Sequence, residues 1–228
     1  MSKDLNNLPK DKTLLVLDAA CPNVFAGLWQ DGQWLAMASI EVPALEGLFD
    51  AVDQCLKAAD MSLEAITGFA HDEGPGSVLG IRVAAMAIKT WRALPSFREK
   101  PVFAFHSLAF AIEQVRRKQK PESDFCIISD YRKDAWLSIR SDKNEIEPLS
   151  EAEAEAIELP IFHSAQRRSW RPPPAAAKSI TIDLASFPEI FANGDIIRPV
   201  DQPGLYAPFR TDYKRWTPDR HRATANPQ

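Results

Sequence analysis

The first half of the chain constrains the fold most, because short apolar runs and amphipathic stretches alternate there in a distinctive order. Residues 14–17 are all apolar and predict a buried strand that ends at Asp18. Asp31-Gly32 separates two further apolar segments, at 23–29 and 33–40. This dipeptide favours a hairpin because both residues tolerate a positive φ. The chain is therefore predicted to open with a three-stranded meander.

Elements that cross between strands are predicted next. Residues 44–59 carry apolar side chains at helical spacing and predict a first helix. A short strand is expected at 65–70, followed by a loop at 71–77. Ser77 at the end of this loop is predicted to cap a second helix at 78–94.

A last strand and helix complete the pattern of the first half. The strand is expected at 101–105, and the helix at 108–118, with Ser107 as its cap. The order β-β-β-α-β-α-β-α predicts an α/β fold with a mixed sheet and helices on its faces. It is typical of a lobe of the ribonuclease-H-like or actin-like ATPase fold.

The second half has weaker patterns. Two strands are predicted at 124–129 and 135–140, around the turn Asp130-Tyr131-Arg132-Lys133. Composition predicts an acidic helix at 150–158, an extended linker at 169–177, a helix at 186–193 with Gly194 at its C′ position, and a basic, aromatic tail from Pro203. We therefore divide the chain into an N-terminal actin-like lobe, 1–108, and a smaller C-terminal lobe with an extended tail, 109–228.

Composition restricts the classes of function. The net charge of −4 over 228 residues provides no broad positive field for nucleic acid. The cysteines Cys21, Cys55 and Cys126 are scattered, which fits a reducing cytoplasm and gives no zinc spacing. Residues 1–12 lack the apolar core of a signal peptide, and no apolar run reaches the roughly 20 residues that span a bilayer. We expect a cytoplasmic protein without a membrane segment.

The most distinctive motif is Glu73-Gly74-Pro75-Gly76-Ser77-Val78-Leu79-Gly80-Ile81-Arg82. Its glycines and proline predict a rigid turn whose backbone amides point toward a helix start, where an anion can bind. A tight strand-to-helix turn with a capping serine explains the same residues. The candidate turn or ligand-binding residues are Asp18, Gly74, Pro75, Gly76, Ser77 and Arg82.

This motif and three others together resemble the TsaB family of tRNA threonylcarbamoyladenosine biosynthesis proteins, which are glycoprotease-like, non-catalytic subunits. The other three are Leu15-Val16-Leu17-Asp18, Val102-Phe103-Ala104-Phe105-His106-Ser107-Leu108 and Asp130-Tyr131-Arg132. The resemblance covers residues 14–108 well. It implies a two-lobed actin-like fold.

The resemblance also implies a function. The chain would support threonylcarbamoyl transfer to the tRNA adenosine beside the anticodon, as a scaffold or activator. It would pair with a catalytic TsaD-like paralogue, which binds the metal and the reactive intermediate, and would help to recruit a TsaE-like ATPase. Contact with tRNA would come only through the complex, and a homodimer in the partner's absence stays open.

Several departures from the family pattern limit the chemistry. Ala19 and Ala20 follow Asp18 where the family has hydroxyl residues, so no side chain there reaches a phosphate or its magnesium ion. His71-Asp72-Glu73 is the only compact group of metal-ligand types, and we interpret it as a solvated loop. Ser77 is explained as a cap rather than as a nucleophile. We predict no catalytic residue, no metal and no cofactor.

The predicted second helix is apolar on most of its circumference, so it must be covered on more than one side. The residues leave open whether the chain itself or a partner covers it. In the TsaB family the first two helices pack against their counterparts as a four-helix bundle, which favours a partner. The predicted interface residues are Leu45, Phe49, Val52, Gly80, Ala84, Ala87, Ile88 and Trp91.

Two functions of other classes remain as alternatives within the same fold. A glycoprotease-like hydrolase would cleave peptides or bind stoichiometric zinc on its own. A sugar or acetate kinase relative would bind ATP tightly. The basic tail, with Arg210, Lys214, Arg215, Arg220 and Arg222, either contacts RNA by charge and stacking or folds onto its own chain.

Overall fold

The computed structural model describes residues 12–133, 135–143, 145–164, 172–192 and 195–206. The predicted cap Gly194, the start of the predicted linker at 169–171 and the basic part of the tail lie outside these ranges. In the described part, no helix combines the length and apolar character needed to cross a membrane.

The described elements are eleven strands, four α-helices and three short 3-10 turns. The strands are β1 (Leu14–Asp18), β2 (Val24–Gln30), β3 (Gln33–Ile40), β4 (Gly68–Asp72), β5 (Val102–Phe105), β6 (Cys126–Arg132), β7 (Ala135–Arg140), β8 (Ile146–Ser150), β9 (Ile161–Ser164), β10 (Lys178–Ile180) and β11 (Ile197–Val200). The helices are α1 (Ala44–Ala58), α2 (Val78–Arg92), α3 (Ser107–Gln119) and α4 (Glu151–Glu155). The 3-10 turns are Leu63–Ala65, Pro95–Phe97 and Pro188–Ala192.

The strands form two mixed sheets. The first has six strands in the order β11-β5-β4-β1-β2-β3, and the second has five in the order β10-β9-β6-β7-β8. The predicted meander is confirmed, since β1, β2 and β3 pair antiparallel, and Asp31 and Gly32 have φ values of 49° and 85°. β4 and β5 run parallel to β1, and β11 returns antiparallel to β5.

A bulge shapes the outer hairpin of the first sheet. Trp29 pairs with Trp34 but Leu28 pairs with Ala36, so Leu35 is an extra residue in β3. The bulge places Trp34 and Ala36 on opposite faces, because side chains otherwise alternate along a strand. Met37 therefore lies on the face opposite to Ala36.

Each face of the first sheet has its own core. α1 and α2 cover one face, where Leu48, Ala84 and Ile88 pack on Leu17 and Phe69. α3 covers the other face and lies between the two sheets, and its buried side chains contact both. This central core includes Val16, Phe105, Phe110, Val115, Ile127, Leu137 and Phe191. The outer face of the second sheet packs on α4.

Some predicted elements differ from the structure. The strand expected at 65–70 is observed as β4, which begins only at Gly68 because residues 63–65 form a 3-10 turn. β4 continues to Asp72, so His71 and Asp72 belong to a strand and not to a solvated loop. Ser107 is the first residue of α3 and not its cap, because its hydroxyl donates to Asp72 instead. The acidic helix shortens to α4, and the helix expected at 186–193 is a 3-10 turn.

Candidate functional site at the ends of β1 and β4

Two aspartates lie side by side where adjacent parallel strands end. Leu17 of β1 pairs with His71 of β4, so the next residues, Asp18 and Asp72, stand at the same level. Strand alternation directs both carboxyl groups to the α3 side of the sheet and His71 to the α2 side. Both aspartates are only 2% exposed. The predicted group His71-Asp72-Glu73 is therefore split by the strand, and Asp72 joins Asp18 instead.

The aspartates tie three chain segments together through hydrogen bonds. The Asp18 Oδ1 atom accepts from the backbone N–H groups of Ala20 (2.7 Å) and Cys21 (3.2 Å). The Asp72 Oδ1 atom accepts from the Gly74 N–H (2.8 Å), and the Ser107 hydroxyl donates to Asp72 Oδ2. The loop after β1, the turn after β4 and the start of α3 therefore meet at one buried carboxyl pair.

Burial sets the protonation state of the pair. It raises the pKa of Asp72 well above the usual range, and the neighbouring Asp18 carboxylate raises that pKa further. Burial also raises the pKa of Asp18, against the opposing effect of its hydrogen bonds from Cys21 and Ala20. One carboxyl oxygen of Asp18 lies within 4.8 Å of one of Asp72. Two buried carboxyl groups this close retain a proton to higher pH than exposed aspartates do, because two adjacent carboxylates would repel each other.

Cys21 lies beside the carboxyl pair. Asp18, Cys21 and Asp72 each offer one ligand atom, and these atoms lie within 4.8 Å of one another. Burial and the two nearby carboxylates raise the pKa of the Cys21 thiol well above its usual value, so it is a neutral thiol. Sequence spacing did not reveal this group, because the strand register is what joins residue 72 to residues 18 and 21.

The predicted Gly-Pro-Gly-Ser turn packs directly on the loop after β1. Ser77 caps α2 as predicted, since its hydroxyl accepts from the Gly80 N–H at 3.2 Å. The Ser77 N–H donates to the Ala20 carbonyl at 2.9 Å. A Cβ added at Gly76 would lie 2.4 Å from the Ala20 oxygen, and one at Gly80 would lie 1.8 Å from the Ala19 oxygen.

These contacts decide what the start of α2 can accept. Carbonyl oxygens of Ala19 and Ala20 lie against it, so an anion there would meet negative dipoles as well as the amides. Gly76 and Ser77 are thus engaged in the packing of the turn on the loop, whereas Gly74 bonds to Asp72 and Ser107 and Pro75 is buried. Arg82 is exposed on α2 and is not brought to the carboxyl pair.

Glu73 anchors the end of the described chain. Its carboxylate, on a residue 6% exposed, pairs with Arg198 of β11 and lies 3.0 Å from His106 Nε2. The Tyr206 N–H donates to the Glu73 carbonyl (3.0 Å), and the Tyr206 and His106 ring centres are 4.1 Å apart. Burial lowers the pKa of His106 to about 4, so the imidazole is neutral near pH 7 and Arg198 supplies the charge that balances Glu73.

The two sheets enclose a cleft in front of the turn. A cavity of about 540 Å³ is lined by Ala19, Ala20, Cys21, Pro43, Ser77, Leu79, Asp130 and Tyr131, among others. Asp130 and Tyr131 belong to β6 and not to the turn predicted at 130–133, and they line this cavity together with the loop after Asp18. The walls of this cavity are mainly small and apolar side chains, and Ala19 and Ala20 contribute methyl groups where a phosphate site would need donors.

The predicted interface residues divide into two groups. Leu45 and Phe49 on α1 are 66% and 56% exposed, and Trp91 is half-buried. Val52, Gly80, Ala84, Ala87 and Ile88 are buried in the chain's own core, so they are not available to a partner in this conformation. Sequence periodicity missed Leu79 and Met86, which are 58% and 56% exposed on α2.

Comparisons with known proteins agree with this architecture. A family model described as TsaD: tRNA N6-adenosine threonylcarbamoyltransferase matches residues 45–179, which is more than half of the chain. A comparison with curated proteins found no match.

Solved structures give the fold. YeaZ from Pseudomonas aeruginosa is 20% identical, with a TM-score of 0.54 over 75% of this chain and 85% of that chain. A second structure from Pseudomonas aeruginosa, an uncharacterized protein with similarity to peptidase YEAZ, is 21% identical, with a TM-score of 0.51 over the same shares. The predicted actin-like fold, with two mixed sheets flanked by helices, is confirmed.

Proposed function

The chain is a TsaB-like member of the family described as TsaD, tRNA N6-adenosine threonylcarbamoyltransferase, and on this premise we propose that it supports threonylcarbamoyl transfer to tRNA as a non-catalytic subunit. It pairs in the cytoplasm with a catalytic relative of its own fold. A TsaE-like ATPase joins the complex, and tRNA reaches the chain as part of that complex rather than alone.

An exposed apolar surface on two adjacent helices is the observation that carries this proposal. We call it the α1–α2 surface and define it by Leu45, Phe49, Leu79, Met86 and Trp91. The first four are each more than half exposed, and the Phe49 and Trp91 rings meet edge-to-face at 6.0 Å. Large apolar side chains grouped in this way mark protein contacts, because leaving them in water is unfavourable.

The charges beside this surface describe the partner. α1 exposes Glu46 and Asp50, whereas α2 carries Arg82 one turn before Met86 and no acidic residue. A partner helix that faces α1 should be basic at its rim, and one that faces α2 should be acidic. Such complementary charges set orientation and partner choice more than affinity.

The carboxyl pair supports a non-catalytic role. Asp18 and Asp72 are buried, and the loop beyond Asp18 is covered by the Gly-Pro-Gly-Ser turn. The neutral Cys21 thiol is a poor nucleophile. The pair therefore has a structural role, because its hydrogen bonds connect the ends of β1 and β4 to the start of α3.

Co-purification tests the proposal. We expect Met86→Arg to reduce recovery of a catalytic relative about tenfold or more, because a charge at the centre of an apolar contact costs well over roughly 1.4 kcal/mol. Tagged wild type, Met86→Arg and Met37→Arg would be purified from native cells and their partners identified by mass spectrometry. Met37 is the matched control, since it is 48% exposed but lies on the opposite face of the sheet.

Two results would contradict the proposal. One is wild-type protein that recovers no relative of the family. The other is equal recovery by Met86→Arg and Met37→Arg, which would remove the α1–α2 surface from the interface. Matching thermal unfolding of both variants shows that any loss reflects contact and not misfolding.

One observation favours a second candidate function. The ligand atoms of Asp18, Cys21 and Asp72 lie close enough to hold a metal ion, which a glycoprotease-like hydrolase would use. Stoichiometric zinc or manganese in the purified chain, together with peptide cleavage, would favour this hydrolase over the subunit role.

A further inference from the structure

Basic side chains line a small pocket at the carboxyl end of α2. Lys89, Arg92 and Arg98 surround a cavity of about 300 Å³, together with Ala93 and Gln202. The pocket lies where α2, the 3-10 turn after it and the turn after β11 converge. It is remote from the carboxyl pair and borders the α1–α2 surface, since Lys89 is one turn beyond Met86.

The chain itself fixes Arg92 in this pocket. The Arg92 Nη1 group donates to the Asp201 carbonyl at 3.0 Å, and Nη2 donates to the Arg98 carbonyl at 3.2 Å. The Nε atom is buried and has no hydrogen-bond partner. The chain therefore holds Arg92 as a fixed positive charge in the wall of the pocket.

The positive charge of the pocket is not neutralised locally. Among the described residues, no carboxylate forms an ion pair with Lys89, Arg92 or Arg98, although the whole chain has a net charge of −4. Cations at the end of a helix offset the helix dipole, which accounts for Lys89 and Arg92. The dipole accounts neither for Arg98, which lies beyond the helix, nor for the concave shape.

We propose that this pocket binds a backbone phosphate of the tRNA when the complex engages its substrate, an inference that rests on the proposed function. The exposed guanidinium of Arg98 matches the two free oxygens of a phosphodiester, Lys89 adds a point charge, and Arg92 supplies a fixed positive charge behind them. Phosphates repeat along the backbone, so Lys89 on the exposed helix face and Arg98 on the next turn can engage neighbouring groups. Such contacts position the RNA without reading its sequence.

The test measures tRNA affinity and its salt dependence. The protein is the full chain, purified with any partner it retains, and the probe is fluorescein-labelled tRNA followed by anisotropy at several NaCl concentrations. Lys89→Gln/Arg98→Gln removes two pocket charges and leaves Arg92 in place. Lys118→Gln/Lys178→Gln removes two exposed charges from α3 and β10, away from the α1–α2 surface, so both variants change the net charge equally.

We expect the pocket variant to bind tRNA about tenfold more weakly and its log–log salt slope to fall by about 1 to 2. The control variant should stay within about twofold of wild type. Equal effects in the two variants, unchanged affinity in the pocket variant, or no tRNA binding by wild type that carries its partner would each overturn the proposal.

Two further arms separate other anions from RNA. If titration with inorganic phosphate shows binding that the pocket variant loses while its tRNA affinity is unchanged, the pocket takes a free anion and the RNA proposal fails. If the pocket variant loses its protein partner instead, the pocket contacts an acidic protein segment and the proposal also fails. Recovery of wild type without a partner counts against the proposed function, whereas tRNA binding by that chain, weakened in the pocket variant, would still support this site.

Discussion

Asp18 and Asp72 face each other because the parallel register of β1 and β4 brings the last residue of each strand to one level. Repulsion and burial make the pair retain a proton that two exposed aspartates would lose. The unfolded chain does not retain it. Folding therefore takes up a proton at this pair, and the contribution of the pair to the free energy of unfolding falls as the pH rises.

The sign of this effect can be tested with Asp18→Asn. Because the folded pKa is raised, the stability from the pair is complete below the ordinary value of 3.8 and is lost as the pH rises through the raised pKa. The introduced amide can keep its oxygen on the Ala20 and Cys21 N–H groups and donate its NH₂ group to Asp72. Above about pH 4, we expect the free energy of unfolding of the variant to rise relative to that of wild type. The difference should grow by up to about 1.4 kcal/mol per pH unit for one proton.

Chemical denaturation at several pH values checks this prediction. Burial lowers the pKa of His71 and of His106 to about 4 from 6.5, so these groups favour folding as the pH rises between those values. Both are common to the two proteins and cancel in the difference. Asp60→Asn is the control, because Asp60 is exposed with φ 52°, a conformation that Asn tolerates. A pH-independent gain in Asp18→Asn would contradict a shared proton.

At the scale of elements, the approach of α2 to the loop after β1 fixes the relation of helix to sheet. The sequence pattern assigned Gly80 to close approach of a partner helix, but the structure assigns the approach to the Ala19 carbonyl of the same chain. Backbone oxygen cannot move aside as a flexible side chain does. The small residue is therefore required by the fold and is independent of any partner.

Gly80→Ala tests this requirement against helix propensity. Alanine is more favourable than glycine within a helix by about 1 kcal/mol, so propensity alone predicts stabilisation. We expect a net loss of about 1–3 kcal/mol, because the new Cβ would lie 1.8 Å from the Ala19 oxygen. Urea unfolding of this variant would be compared with that of Gly204→Ala, whose Cβ meets nothing within 4 Å. Stabilisation by Gly80→Ala would show that the loop gives way freely.

At the scale of the whole molecule, local signals predicted the first sheet and distant pairings escaped prediction. The meander follows from Asp31-Gly32 and apolar alternation, both within 30 residues. β11 has no comparable signal: its four residues include Pro199 and pair with β5 across more than 90 positions. The same holds for Glu73 with Arg198, and for the in-register Asp18 and Asp72. These residue pairings form only when the sheet is assembled, so local patterns in a single sequence do not predict them.

One buried glutamine joins α3 to the segment after β10 through hydrogen bonds between residues far apart in the sequence. Gln114 on α3 is 3% exposed, and its side-chain amide both donates to and accepts from the backbone, as a peptide group in a β-strand does. Its Nε2 donates to the Thr181 carbonyl at 2.8 Å, and its Oε1 accepts from the Asp183 N–H at 2.8 Å. These bonds hold the segment after β10 against the central helix. That segment leads to the 3-10 turn at Pro188, whose carbonyl accepts from Trp29 at 2.8 Å.

Gln114→Ala should therefore loosen the connection between the sheets rather than one sheet alone. Two hydrogen bonds and a buried side chain are lost, and we expect a cost of about 1–3 kcal/mol in unfolding free energy. Native-state hydrogen exchange should show the Asp183 amide exchanging much faster, while amides of β1 and β4 change only with global stability. Gln119→Ala is the control, because Gln119 is exposed at the end of the same helix. A protected Asp183 amide in Gln114→Ala would mean that the segment is held by its apolar contacts, and that the glutamine only satisfies the backbone it meets.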